Sequence, residues 1–394
     1  MPINRAPIPA KMFVVGMLTL AATSCGTTRS VVCPLASGSN STTCACGSGT
    51  DACPINPGPE FLYARTVTGQ ILAFDIDRGS GVLTAVGSVP GPSLSYGLTA
   101  VNHQFLFASD RSQGQLDGFS IDQTTGALTT LQGSPFPTGT LTAPAGLASP
   151  PNSSFLYAAD VAAVDAFTVS STGIPSAVSG SPFPSGSGIS LATDPNGQFL
   201  YAPDADSGGV VAFTIGSTGA LTAVSGSPFT VPGESNGLPS GIIDTGSYVY
   251  TTLSLDNQIA AFSVVSGTGA LTPVSNSPFS AGTSPTAIVF ASESPSGFLY
   301  ALNNVLNTGT MSGYSIDTST GVLTPLSGFP LSIEGFSMAI DSPFSLGEYL
   351  YVASSTGIQA FSIDGTSGAL TPLSGSPFAA AGANLLTLVQ IPPS

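Results

Sequence analysis

Few side chains in these 394 residues can move a proton or carry positive charge. His103 is the only histidine and Lys11 the only lysine, so imidazole acid–base chemistry has a single candidate. Arg65 and Arg111 could together grip a carboxylate or phosphate with two-pronged hydrogen bonds, or steady an oxyanion; an ion pair with Asp110 or Asp117 is the other use of Arg111. Asp110, Asp160, Asp204, Asp206, Glu234 and Glu334 offer carboxylates for acid–base work, ligand binding or simple solvation. Asp204-Ala-Asp206-Ser-Gly-Gly209 is like the start of a calcium loop, but Gly208 and Ile215 stand where further oxygen ligands belong. Calcium is therefore the one cofactor candidate, and a thin one. Gly233-Glu-Ser-Asn-Gly237 fits the hydrolase pattern Gly-x-Ser-x-Gly, yet no helix pattern or histidine lies near it. In a chain this rich in Gly and Ser the match is accidental.

Composition narrows the class. There are 6 basic and 21 acidic residues, a net charge of −15, and no means of neutralising a phosphate backbone, which excludes nucleic acid as a partner. Hydrophobic residues make up 42% of the chain, enough for a core. With 47 glycines and 33 prolines, short strands and tight turns are expected rather than long helices.

The N-terminus reads as an address. Arg5 and Lys11 precede the apolar run Phe13–Ala22, too short to span a bilayer and suited to a secretory signal over residues 1–24. Ala22-Thr-Ser-Cys25-Gly26 resembles a bacterial lipobox, which implies cleavage before Cys25 and acylation of its thiol. It departs from the usual pattern in having Ala22 where Leu is customary, and ordinary cleavage with free secretion is the alternative. Residues 25–60 are rich in Ser, Thr and Gly and form a tether. Cys33, Cys44, Cys46 and Cys53 predict two disulfides there, with three connectivities open; a metal site is the rival, without a nearby histidine. The expected location is the outer membrane or cell surface as a lipoprotein, otherwise the periplasm or the medium.

From Phe61 the chain repeats. A Phe-Leu-Tyr-Ala phrase or a variant recurs at Phe61, Phe105, Phe155, Phe199, Tyr248, Phe298 and Tyr349, at intervals of 44 to 51 residues. Such a period belongs to propellers or arrays. Each copy holds four strand-like runs, as in Phe105–Ser109, Leu116–Ile121, Ala127–Leu131 and Ala145–Ala148, in which aromatic and β-branched residues alternate with small or polar ones as half-buried strands require. Turns such as Asp122-Gln-Thr-Thr-Gly126 separate the second run from the third, Asp bonding its own backbone and Gly supplying positive φ. Ser-Pro-Phe phrases follow, at Ser134, Ser227 and Ser376, where proline is expected to mark the chain's exit to the next sheet.

Seven such units predict an all-β fold, a seven-bladed propeller over residues 61–394 with four antiparallel strands per blade. The first copy opens on its second strand, and the chain ends in Leu385–Ile391, an inner strand without a blade of its own. This C-terminal strand is expected to complete blade 1 and close the ring. Loops from the second to the third strand, and from the outer strand to the next inner strand, then share one face. That face carries Arg65, Arg111 and the six acids; His103 and Arg78 fall on the other. The inner-strand entries Tyr96, Pro144, Ile189, Pro239, Pro285 and Asn384 are neutral.

The Phe-Leu-Tyr strand, the Asp-x-x-Thr-Gly-x-Leu-Thr hairpin and the turn Asp194-Pro-Asn-Gly-Gln-Phe-Leu-Tyr201 resemble the lactonase-like, YVTN-type propeller family. That resemblance implies the fold across 61–391 and, in the enzymes of the family, hydrolysis of a sugar or carboxylic acid lactone at the first face with His, Arg and Glu. His103 lies on the wrong face for that role. The expectation is therefore a monomeric envelope module binding a small molecule, a glycan or another envelope protein; a lactone hydrolase using Arg65, Arg111 and a carboxylate such as Glu234 or Glu334 is the alternative.

Overall fold

The computed structural model describes residues 58–137, 142–230, 238–292, 297–304, 309–341 and 349–392. The signal, Cys25, the four tether cysteines and Glu234 lie outside these residues.

Seven antiparallel sheets follow one another along the chain, each ordered inner, second, third, outer. Blade 2 is typical, with strands Leu98–Val101, Phe105–Asp110, Gln115–Ile121 and Leu128–Thr130. Blade 1 is built from Glu60–Thr66, Gln70–Ile76 and Leu83–Pro90, and takes its inner strand from the C-terminus. Ala383–Gln390 pairs antiparallel with Glu60–Thr66 in the register Glu60↔Gln390 through Arg65↔Leu385. The expected clasp is present, and it covers the edge of Glu60–Thr66 that would otherwise stay unpaired.

Each second strand is buried on both sides because a blade is sandwiched between two neighbours. Leu62 and Ala64 pack toward blade 7, whereas Phe61 and Tyr63 pack toward blade 2. Two-sided burial corrects the half-buried alternation expected of these strands: the Phe-Leu-Tyr-Ala phrase is a continuous apolar run because both its faces are covered.

Polar atoms on the repeat are satisfied in a recurring way. The Asp122 carboxylate accepts from the Thr124 and Thr125 N–H groups at 3.0 and 2.8 Å and from the Thr125 hydroxyl at 2.9 Å. These hydrogen bonds hold its carboxyl below the ordinary value. Gly126 follows with φ +71°, and an added Cβ would lie 2.4 Å from the Phe61 ring of the preceding blade. Tyr63 donates its hydroxyl to the Gly126 carbonyl at 2.9 Å, and burial pushes that phenol up.

The Ser-Pro-Phe phrase corrects one expectation. The chain does not leave the sheet at the proline, since Phe136-Pro137 turns back and pairs with the blade's own third strand, Leu116↔Phe136. The serine reinforces this: Ser134 Oγ accepts from the Gly118 N–H at 2.9 Å, and Ser181, Ser227, Ser277 and Ser376 repeat the contact. Only after this two-residue strand does the chain cross to the next inner strand.

Candidate functional site

The loops that place functional side chains on the upper face are those expected. Arg65 donates to the Pro92 and Ser93 carbonyls, which lie between the outer strand of blade 1 and the inner strand of blade 2. Arg111 donates to the Ala143 carbonyl at 2.9 Å, in the corresponding loop one blade on. On the lower face, His103 Nε2 lies 2.9 Å from Asn152 Oδ1, and Gln123 donates to the His103 carbonyl. There too, Arg78 meets Glu60 at 3.4 Å.

Blades 1 and 2 bring the sequence candidates Arg65 and Asp110 into one junction, while Arg111 reaches on to the loop between blades 2 and 3. Arg65 shares strand parity with Phe61 and Tyr63, so it points at blade 2; it is 1% exposed. Besides its two carbonyl bonds it donates to Asn384 Oδ1 at 3.2 Å, tying the closing strand to the junction. Its Nε has no partner. Burial lowers its pKa, and the negative charge of Asp110 opposes that fall. The Asp110 carboxylate accepts from the Ser112 and Gln113 N–H groups at 3.0 and 3.2 Å and from the Ser112 hydroxyl at 2.6 Å. Arg111 lies over the Tyr96 ring, 5.3 Å from its centroid, a cation–π contact at the entry to the inner strand.

This arrangement does not present two free guanidinium forks to an anion. Arg65 is consumed within the junction and Arg111 is spent on a ring and a carbonyl, so the clamp considered from sequence is not assembled as a paired surface.

The junction also contains a residue that the sequence offered only as an ion-pair partner for Arg111. Asp117 sits in the third strand of blade 2, paired with Ala108, and so faces blade 1. Burial, with the Asp110 charge adding to it, pushes its carboxyl up to about 6, and its Oδ2 is buried without a partner. The available signal was an acid between Leu116 and Gly118 in a strand otherwise built of apolar, small and hydroxyl side chains.

The remaining acids are dispersed. Asp160 organises its loop by accepting from the Thr142, Ala143 and Val161 N–H groups. Asp204 is buried and accepts from the Asp206 N–H at 3.0 Å, while Asp206 and Glu334 are exposed. Among the described residues no three His, Cys, Asp or Glu side chains converge as a metal cage requires.

What the upper face does display is apolar. Ten large hydrophobic side chains are exposed among the described residues, and eight of them (Val67, Leu94, Tyr96, Val161, Ile189, Leu238, Leu255 and Phe336) sit on upper loops. The other two, Ile174 and Val265, lie on lower hairpins. Isolated apolar side chains are ordinary on a surface, but the concentration of eight of ten on one face is not.

Residues 61–385 match the family model described as lactonase, 7-bladed β-propeller. The chain belongs to this lactonase family. Solved structures agree on the fold. A Bacteroides fragilis protein provisionally described as a 6-phosphogluconolactonase superposes with a TM-score of 0.69 at 18% identity, over 85% of this chain and 99% of that one. The periplasmic gluconolactonase of Pseudomonas aeruginosa gives 0.66 at 20% identity, over 85% of this chain and all of its own, 100%. A comparison with curated proteins finds no match. Within this lactonase-family propeller the upper face is thus defined by neutral entries, a buried arginine and an apolar crown.

Proposed function

We propose that this lactonase-family propeller is an exported, lipid-anchored binding module of the cell envelope, taking uncharged ligands, glycans foremost, on its upper face. The observation that carries the reading is the crown of exposed apolar side chains, with Tyr96 held by Arg111 at an inner-strand entry. An aromatic ring presented beside neutral strand entries suits the apolar face of a sugar, and a chain of net charge −15 repels acidic ligands. The basic, short apolar N-terminus and Cys25 support export and anchoring.

Hydrolysis of a lactone is the second reading, favoured by the family and by Asp117. Its carboxylate would take a proton from water as the water oxygen bonds to the lactone carbonyl carbon. The ring C–O bond then breaks, and the released alkoxide takes the proton to give a hydroxy acid.

A neutral-glycan array and a lactone panel, run on the same purified chain, separate the two. Saturable glycan binding, lost in a Tyr96→Ser/Ile189→Ser/Phe336→Ser variant, with lactone decay no faster than in buffer, supports the module. Lactone turnover abolished by Asp117→Asn, without glycan binding, supports the hydrolase. Anchoring is read from membrane fractions, which Cys25→Ser should leave empty of the protein.

A further inference from the structure

One register position closes the outer part of six of the seven blade junctions. Opposite Leu116, Val164, Val210, Ile259 and Ile358 on the third strands stand Phe136, Phe183, Phe229, Phe279 and Phe378; opposite Met311 stands Leu331. Each of these side chains packs in the core between its own blade and the next.

Blade 1 departs from this. Opposite Ile71 stands Val89, and the outer strand Leu83–Pro90 stays paired with the third strand along its length, where the other blades have a three-residue outer strand, a turn and a proline. The space that a ring fills elsewhere is a partly open cavity of about 210 Å³, walled by Ile71, Ala73, Gly87, Ser88 and Val89 of blade 1 and by Ala127 and Leu128 of blade 2.

We propose that this gap is a binding site for a small uncharged monocyclic ring, a phenyl-sized hydrocarbon or close analogue. The molecule itself shows what fits, because five equivalent positions hold a phenyl ring. No charged side chain lines the cavity. Six of its seven lining residues are apolar or glycine, and an enclosed aliphatic cavity of about 150 Å³ takes up benzene. A peptide strand is not the occupant, since the outer strand already fills the pairing positions on the third strand.

Fluorobenzene is the probe, followed by ¹⁹F line broadening with the purified full chain. Wild type should broaden the signal saturably, with toluene competing. Val89→Phe should abolish the broadening and raise Tm by a few degrees, while the upper-face variant Tyr96→Ser should leave it unchanged. Should Val89→Phe fail to fold, Val89→Leu, matching the residue of blade 6, should weaken binding at least several-fold. No broadening with wild type, or equal broadening with a folded Val89 variant, overturns the site. Loss in Tyr96→Ser would place the probe on the upper face and overturns it equally.

Discussion

The Tyr351 hydroxyl donates to the Gly81 carbonyl at 2.9 Å, joining blade 7 to blade 1 across 270 residues of chain. The same bond runs from Tyr63 to Gly126, Tyr157 to Gly219, Tyr201 to Gly269, Tyr250 to Gly321 and Tyr300 to Gly368. Blade 2 has Phe107 at this position, so its junction with the Gly173 turn has no such hydroxyl. Tyr351→Phe should cost about 1–2 kcal/mol by leaving a buried carbonyl unpaired. Phe107→Tyr should contribute up to about 1 kcal/mol. Urea denaturation of both variants checks the pair, with opposite shifts in midpoint expected.

Ring closure rests on the C-terminal strand. Removing Leu385–Ser394 strips blade 1 of its inner strand and uncovers Leu62 and Ala64 to water. Calorimetry should show loss of the cooperative transition; a truncated chain melting as the full one does would refute the clasp.

Arg65 and Arg111 should separate in their effects. Arg65→Gln removes a fully buried side chain whose three acceptors lie on one loop and the closing strand, at a cost of about 3 kcal/mol or more. Arg111→Gln gives up one carbonyl bond and a half-exposed ring contact, about 1 kcal/mol. Equal losses in chemical denaturation would argue against a structural role for Arg65.

Stability should peak at mildly acidic pH. Asp117 and Asp244 are each pushed up to about 6, chiefly by burial, from an ordinary 3.8. Acids raised in the fold bind more protons folded than unfolded, so their contribution is present below about pH 4 and is lost as pH rises through 6. For the nearly buried Asp244 the loss is on the order of 2 kcal/mol by pH 7, and less for half-exposed Asp117. The turn carboxylates Asp77, Asp122, Asp317 and Asp364 are lowered, mainly by hydrogen bonds from their own turns, and act in the opposite sense. Their contribution is present above the ordinary value and is lost as pH falls below it. Tm measured from pH 3 to 8 should therefore show a maximum near pH 4–5, and Asp244→Asn should flatten its alkaline side.

The repeat, the blade count, the Asp–Gly hairpins and the closing strand were legible in the sequence because each is written in a local pattern. The strand phrase recurs seven times, the Asp–Gly hairpin stands in four copies, and the closing strand is an inner-strand run without a blade of its own. Arg65 was legible as a charge but not as a buried one. Its fate depends on sharing the parity of Tyr63, on the loop at Pro92 and Ser93, and on Asn384, which lies 319 residues away. Asp117 gained its raised pKa only when Asp110 and the wall of blade 1 closed over it. Val89 is an unremarkable small residue until its register opposite Ile71 sets it against five phenylalanines. Strand periodicity and turn chemistry are short-range and survive in one dimension. Desolvation, and the space left where two blades meet, are properties of surfaces that only the closed ring brings together.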